Sequence, residues 1–280
     1  MKSKAAYFLL IPAVVFFLLL SIAPLVIVGR LSLFKTNYIT SYFVGLYNYR
    51  KIFSDPDILM VIINSFIYAI LMMLGGLVLN ISTGLMVIDM RKWVHDVARF
   101  VFYIPVFTSG IIIGTVWRWI LHPKIGLLNW IISLFGHDPV IWMGERFTSI
   151  FILSFMLVVT NGGAGLVIYL ASMLSIPSTL FDSAKIDGAT NMQIKLRIIL
   201  PIITPTIFMM TLLGFIGAMQ MFETIFIMRP VADANNLMYD VYRTGFTFSK
   251  YGLAAAKSLV LMTLVFGISI AKRRLEKRGI

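Results

Sequence analysis

The chain has 280 residues, 59% of them hydrophobic and 13% charged, with a mean hydropathy of +0.92 and a net charge of +12. A soluble domain does not carry that apolar excess, so a polytopic membrane protein is expected. The positive balance then reads as Lys and Arg retained on the cytoplasmic side rather than as a nucleic-acid footprint. The absence of cysteine excludes disulfides and thiol chemistry.

Lys2 and Lys4 precede an apolar run from Ala5 to Val28. It is longer than the apolar region of a signal peptide and lacks a small-x-small cleavage site, so it reads as a retained first helix. Six apolar runs are long enough to span, near 5–29, 61–88, 99–121, 147–174, 202–228 and 252–271. Backbone polar groups in lipid must be satisfied internally, and the alternating strands of a barrel are absent, so the runs are helices. The expected fold is an all-α polytopic membrane protein with six transmembrane helices, one transmembrane domain over 1–280.

Orientation follows from the connections. With the N-terminus inside, the inner segments hold Lys2 and Lys4, then Arg91, Lys92 and Arg99, then Lys185, Lys195 and Arg197, and finally Lys272, Arg273, Arg274, Lys277 and Arg278. The outer segments are longer in total and carry fewer basic residues, which places both termini in the cytoplasm. The first outer segment, about 30–60, has interfacial aromatics. The second, about 122–146, contains an amphipathic stretch from Leu127 to Phe135 that suits a short helix lying at the interface. The third, about 229–251, is polar. His95, His122 and His137 lack metal-ligand spacing and read as interfacial or loop residues.

Between runs four and five, Ser175-Ile176-Pro177-Ser178 breaks the helix. Ser178 is a candidate N-cap, and Asp187-Gly188 marks a turn because glycine tolerates φ > 0. A second helix is predicted from about Thr190 to Leu200, with Pro201 opening the next span. The result is a cytoplasmic helix–turn–helix whose Ile176, Leu180 and Ala184 share a face that a partner could bury.

Polar residues inside spans usually face a cavity or a partner helix. Thr108, with Ser109 and Gly110, follows Pro105 in run three. Asn161-Gly162-Gly163-Ala164-Gly165 interrupts run four. Gln220 and Glu223 sit three apart, hence on one helical face of run five. Thr108, Asn161, Gly162, Gln220 and Glu223 are therefore the candidate substrate-pathway residues, with Phe107, Tyr169 and Phe222 as candidate stacking faces. Helix packing also accounts for the glycines, interfacial solvation for Glu223, and lipid contact for the aromatics. Arg118 sits near the outer end of run three and also suits snorkelling to the interface. The seventeen methionines read as packing or lipid-facing residues.

Asp182, Ala184, Gly188, Ile198, Leu200 and Pro201 match in register the EAA loop of ABC-importer permeases, which the segment 175–201 resembles. Asp182 stands where the family usually has Glu, and Ser183 where it has Ala. The resemblance extends along the chain to sugar-importer permeases of the maltose and glycerol-phosphate type. It is carried by Leu10-Ile11-Pro12-Ala13, Gly45-Leu46-Tyr47-Asn48-Tyr49, Asn64-Ser65, Trp117-Arg118-Trp119, Gly126-Leu127-Leu128-Asn129, Tyr169-Leu170-Ala171 and Tyr251-Gly252-Leu253-Ala254. One departure is Met228-Arg229-Pro230, where the family commonly has Gly-Gly-Pro.

The resemblance implies a type I ABC importer permease fold. It also implies half of a pore for a sugar or oligosaccharide in the bacterial cytoplasmic (inner) membrane. Asp182, Ser183, Ala184, Asp187, Gly188 and Ala189 would dock the ATPase. Implied partners are a homologous second permease in a heterodimer, two ABC ATPase subunits and an extracytoplasmic solute-binding protein. ATP and Mg would sit on the ATPase subunits. This chain has no Walker A pattern, no expected catalytic or metal residue and no cofactor of its own. Two other readings are an ABC permease for a phosphate ester, polyamine or peptide, and a secondary transporter that needs no ATPase. An ion-coupled carrier would show acids in several central helices, where Glu223 is nearly alone.

Overall fold

The computed structural model describes the backbone of residues 2–37 and 39–276, and the side chains of 9–37, 39–105, 107–160, 162–163, 165–231 and 233–270. Helices dominate, and the described strands are two three-residue segments, Phe34–Thr36 (β1) and Ser41–Phe43 (β2), paired as an antiparallel hairpin. The described chain divides into two compact units, 1–60 with 237–280, and 61–236.

The first unit opens with helix α1 (Lys2–Phe17). It passes through a π-turn at Leu18–Ile22 into α2 (Ala23–Leu31). The Leu9–Leu31 stretch is long and apolar enough to cross a bilayer, and none of it is buried within the chain. Its apolar surface therefore needs lipid or another protein. The hairpin and α3 (Tyr47–Ser54) follow, organised by Asn48. Its Nδ2 donates to the carbonyls of Ser32 at 2.8 Å and Phe34 at 2.9 Å. The unit is completed by α13 (Leu237–Tyr242), a π-turn at Arg243–Thr247, and α14 (Tyr251–Glu276). Lys257, on α14, is only 4% exposed. A buried ammonium requires a partner. Lys257 pairs with Asp240 and donates to Thr244 Oγ1 at 2.9 Å. The sequence does not advertise this pair, because the carboxylate lies 17 residues earlier, on α13.

The second unit holds α4 (Pro56–Val87), which begins just before the unit boundary, then α5 (Lys92–Tyr103), α6 (Gly110–Ile120), α7 (Leu127–Leu134) and α8 (Arg146–Leu174). α9 (Ser178–Ile186), α10 (Asn191–Ile194), α11 (Leu200–Met219) and α12 (Glu223–Met228) follow. Among the described residues four helical stretches are candidate spans by length and apolarity, and α8, taken as one bent span, makes a fifth. Its axis turns by 48° between Arg146–Thr160 and Gly165–Leu174. Glycine runs are a standard cause of such bends.

Two expected helices are broken. The run 99–121 is not continuous. Pro105, lacking an N–H, leads into a 3₁₀ turn at Ile104–Phe107, Thr108 is extended, and Ser109 caps α6 by accepting from the Ile111 N–H at 3.3 Å. At eleven residues α6 is too short to span alone. The run 202–228 stops at Met219 and restarts at Glu223. Gln220 and Glu223 are therefore not on one continuous helical face, as their spacing predicts. Conversely, Pro201 opens no new helix. A π-turn at Lys195–Ile199 carries α10 straight into α11, since the widened turn accommodates the proline's missing hydrogen bond.

Loops are tied down by single buried amides. Asn129, on α7, donates to the carbonyls of Pro123 at 3.0 Å and Val140 at 2.9 Å. It accepts from the Val140 N–H and the Trp142 indole N–H, both at 3.1 Å. Asn64, on α4, donates to the carbonyls of Asp233 at 2.6 Å and Asn235 at 2.9 Å, and accepts from the Arg146 guanidinium at 2.8 and 3.0 Å. At the turn after α12, Arg229 adopts φ 47°, ψ 63°. That left-handed conformation costs an L-residue about 1–2 kcal/mol and glycine almost nothing. Arg229→Gly is expected to raise the thermal unfolding midpoint by about 1 kcal/mol equivalent, read by a thermal melt in detergent. An unchanged or lower midpoint would contradict the strain.

Candidate substrate cavity and docking hairpin

Helices α4, α8 and α11, the break at 220–222 and the first turn of α12 line an open cavity of about 680 Å³. Its wall is built largely from glycine and methionine. Gly214 and Gly217, on α11, have open space where a Cβ would project. Gly165 makes room for Asn80, since a Cβ there would lie 2.8 Å from Asn80 Nδ2. Asn80 is otherwise satisfied by donating to the Gly76 carbonyl at 2.7 Å. It is an amide inside an apolar run, a signal of the kind used for Asn161, and the sequence reading missed it.

Of the pathway candidates, Gly162, Gln220 and Glu223 line the cavity. Glu223 opens the first turn of α12, and its Oε2 lies 2.5 Å from where a Cβ on Gly110 would be, at the amino end of α6. Acidic groups are favoured at both helix amino ends. The neighbouring Met221 carbonyl accepts from Asn236 Nδ2 at 2.5 Å, which fixes the break that positions Glu223. Thr108 is partly buried at the break before α6 and is not part of the cavity wall, whereas Gly110 is. The Asn161 side chain lies outside the described residues. Tyr169 and Phe222 are on the wall, Phe222 stacked on Phe226 at 5.5 Å. Phe107 and Arg118 are exposed away from it. Among the described residues no group of three His, Asp or Glu side chains could hold a metal ion.

The segment 175–201 folds as a helical hairpin with a defined turn. α9 starts at Ser178, and Pro177 occupies the N-cap position without a side-chain cap. This differs from the capping role expected for Ser178. α9 ends in a Schellman arrangement, with Gly188 N–H donating to the Lys185 carbonyl at 3.0 Å and Ala189 N–H to the Ala184 carbonyl at 2.9 Å. That closure needs φ > 0 at Gly188, which has φ 79°. Ala184 and Ala189 make the accompanying apolar contact with the core beneath. Thr190 and Gln193 then form a capping box.

The inner face of the hairpin packs on a core of Tyr169, Met173, Ile176, Ile194, Ile199 and Ile203. Ile176 and Ala184 belong to this internal packing, so the face predicted for a partner is split, and only Leu180 remains exposed. The outer face presents Asp182, Ser183, Asp187 and Gly188, with Ile186 87% exposed at the tip and Met192 beside the turn. Lys195 pairs with Asp89 at 2.5 Å and so ties the hairpin to the loop between α4 and α5.

No family model matches the chain. It is 28% identical over 284 residues to the probable ABC transporter permease protein YurN of Bacillus subtilis, covering 98% of this chain and 96% of that protein. It is 26% identical over 281 residues to the arabinooligosaccharides transport system permease protein AraP of the same organism, covering 98% of this chain and 89% of that one. In structure it resembles a chain of a bacterial ABC transporter involved in the import of the acidic polysaccharide alginate. The TM-score is 0.82 at 26% identity, covering 98% of this chain and 96% of that one. A second structure, of a bacterial alginate ABC transporter in complex with alginate pentasaccharide-bound periplasmic protein, gives a TM-score of 0.88 at 23% identity, with 99% of this chain and 95% of that one covered. Over nearly its full length, then, the chain is similar in sequence and fold to ABC-transporter permeases, among them one for arabinooligosaccharides.

Proposed function

We propose that this chain forms half of the translocation pathway of a binding-protein-dependent importer for a sugar or oligosaccharide. A homologous permease completes the pathway, one of two ATPase subunits docks on the 182–201 hairpin of this chain, and a solute-binding protein delivers substrate from outside. Both termini face the cytoplasm, and ATP with Mg is held by the ATPase subunits. The observation that carries the coupling role is the hairpin itself. Its inner side is welded to the core around Met173 and Ile203, and its tip exposes Ile186. A push on the tip is therefore transmitted to α8 and α11, which contribute Gly162, Gly214 and Gly217 to the cavity wall. Transport requires that nucleotide and solute prefer different global states, a coupling reciprocal in binding free energy.

The test changes a side chain that makes little internal contact. Ile186→Arg is expected to leave the chain inserted and folded while the ATPase subunit no longer co-purifies and ATP-driven uptake falls at least tenfold. That loss corresponds to about 1.4 kcal/mol or more of lost docking energy. Unchanged co-purification would remove the hairpin from the docking role, and uptake by the chain without any ATPase would remove the importer reading altogether.

A further inference from the structure

We infer that the cavity selects by charge, favouring neutral or amino-bearing saccharides and disfavouring those that carry carboxylate or phosphate groups. This rests on the reading of the chain as a carbohydrate permease. Among the described residues, the Glu223 side chain supplies the one formal charge on the wall. The other polar side chains described there, Asn80, Tyr169, Thr211, Gln220 and Thr224, are neutral. Glu223 has no ion-pair partner among the described residues, and its side chain is exposed at the cavity. The basic residues on the adjoining helices stand off. Arg118 is eight residues along α6 from Gly110, about 12 Å of helix rise, and Arg229 lies beyond the far end of α12, about 9 Å. Neither is part of the wall.

Around that charge the surface is apolar, with Met72, Met73, Met210 and Met221. Low-dielectric walls focus the field of a single charge into the cavity. Methionine adapts to the apolar faces of a sugar ring, and Gln220 and Asn80 offer amides to hydroxyls. An acidic polysaccharide would meet a like charge with no cation among the described residues of this wall to offset it.

The absence of cysteine permits a direct measurement in the assembled importer. Gly217→Cys places a single thiol on the open wall of this chain. Its rates of modification by a trimethylammonium thiosulfonate and by a sulfonate thiosulfonate are measured by mass spectrometry of this chain, each relative to free cysteine. The cationic reagent is expected to react on the order of tenfold faster. Glu223→Gln should bring the ratio close to one, Glu223→Lys should invert it, and Glu223→Asp should keep it. A ratio near one with Glu223 present, or one unmoved by Glu223→Gln, overturns the inference. The readout needs no transport, so failure of ATP-driven uptake would count against the proposed function and leave the charge ratio to be judged separately.

Discussion

Gly163→Ala is expected to remove most folded protein from the membrane. A Cβ at this position would sit 1.5 Å from the Phe102 carbonyl oxygen, where α8 crosses α5. Overpacking costs about 1–3 kcal/mol where flexible side chains can yield. Here the obstacle is backbone, so the helices themselves must separate and the cost exceeds about 3 kcal/mol, a large share of a total stability of about 5–15 kcal/mol. Two neighbours serve as controls. At Gly162 the nearest atom is the end of the Leu79 side chain at 3.1 Å, and at Gly214 nothing lies within 4 Å. Solubilised yield and thermal midpoint should therefore rank Gly214→Ala and Gly162→Ala near wild type and Gly163→Ala far below. Equal midpoints for all three would contradict the close approach of α5 and α8.

Gly188→Val should abolish coupling with a smaller change in overall stability. Valine at φ 79° carries the left-handed penalty of about 1–2 kcal/mol, with β-branching adding to it. The strain falls on the two hydrogen bonds that close α9, so the hairpin opens while the spans stay packed. Substitutions should grade as Gly, then Asn, then Ala, then Val, because Asn visits this conformation more readily than other side chains. ATP-driven uptake and the rate of tryptic cleavage at Lys185 report the two consequences, uptake falling as cleavage rises. If valine left both unchanged, the Schellman closure would not be what holds the hairpin in shape.

Neither outcome follows from one property of glycine. Gly163 is required because another backbone occupies the space a Cβ would take, and Gly188 because of its own dihedral angle with open space around it. In the sequence Gly163 is one glycine in a polar interruption, and nothing local distinguishes it from Gly162. Asp187-Gly188, flanked by two helix-forming stretches, is a turn signal by itself.

The same division runs through the chain. The apolar runs, the short helix at Leu127 and the hairpin at 175–201 were legible in residue order alone, because a bilayer demands length and apolarity and a turn demands particular residues. The continuity of those runs was not. Pro105 sits in a break between α5 and α6, whereas Pro201 is accommodated next to a π-turn whose neighbours Ile199 and Ile203 are buried in the core. The partners of the buried polar groups were equally out of reach. Lys257 with Asp240, and Asn64 with the 233–235 carbonyls, are pairings across turns and between elements. The sequence by itself determined that the protein crosses a membrane and carries an exposed, glycine-closed hairpin. Only the tertiary structure decided which polar residues meet in a cavity, because burial and pairing are properties of the packed helices and not of any segment alone.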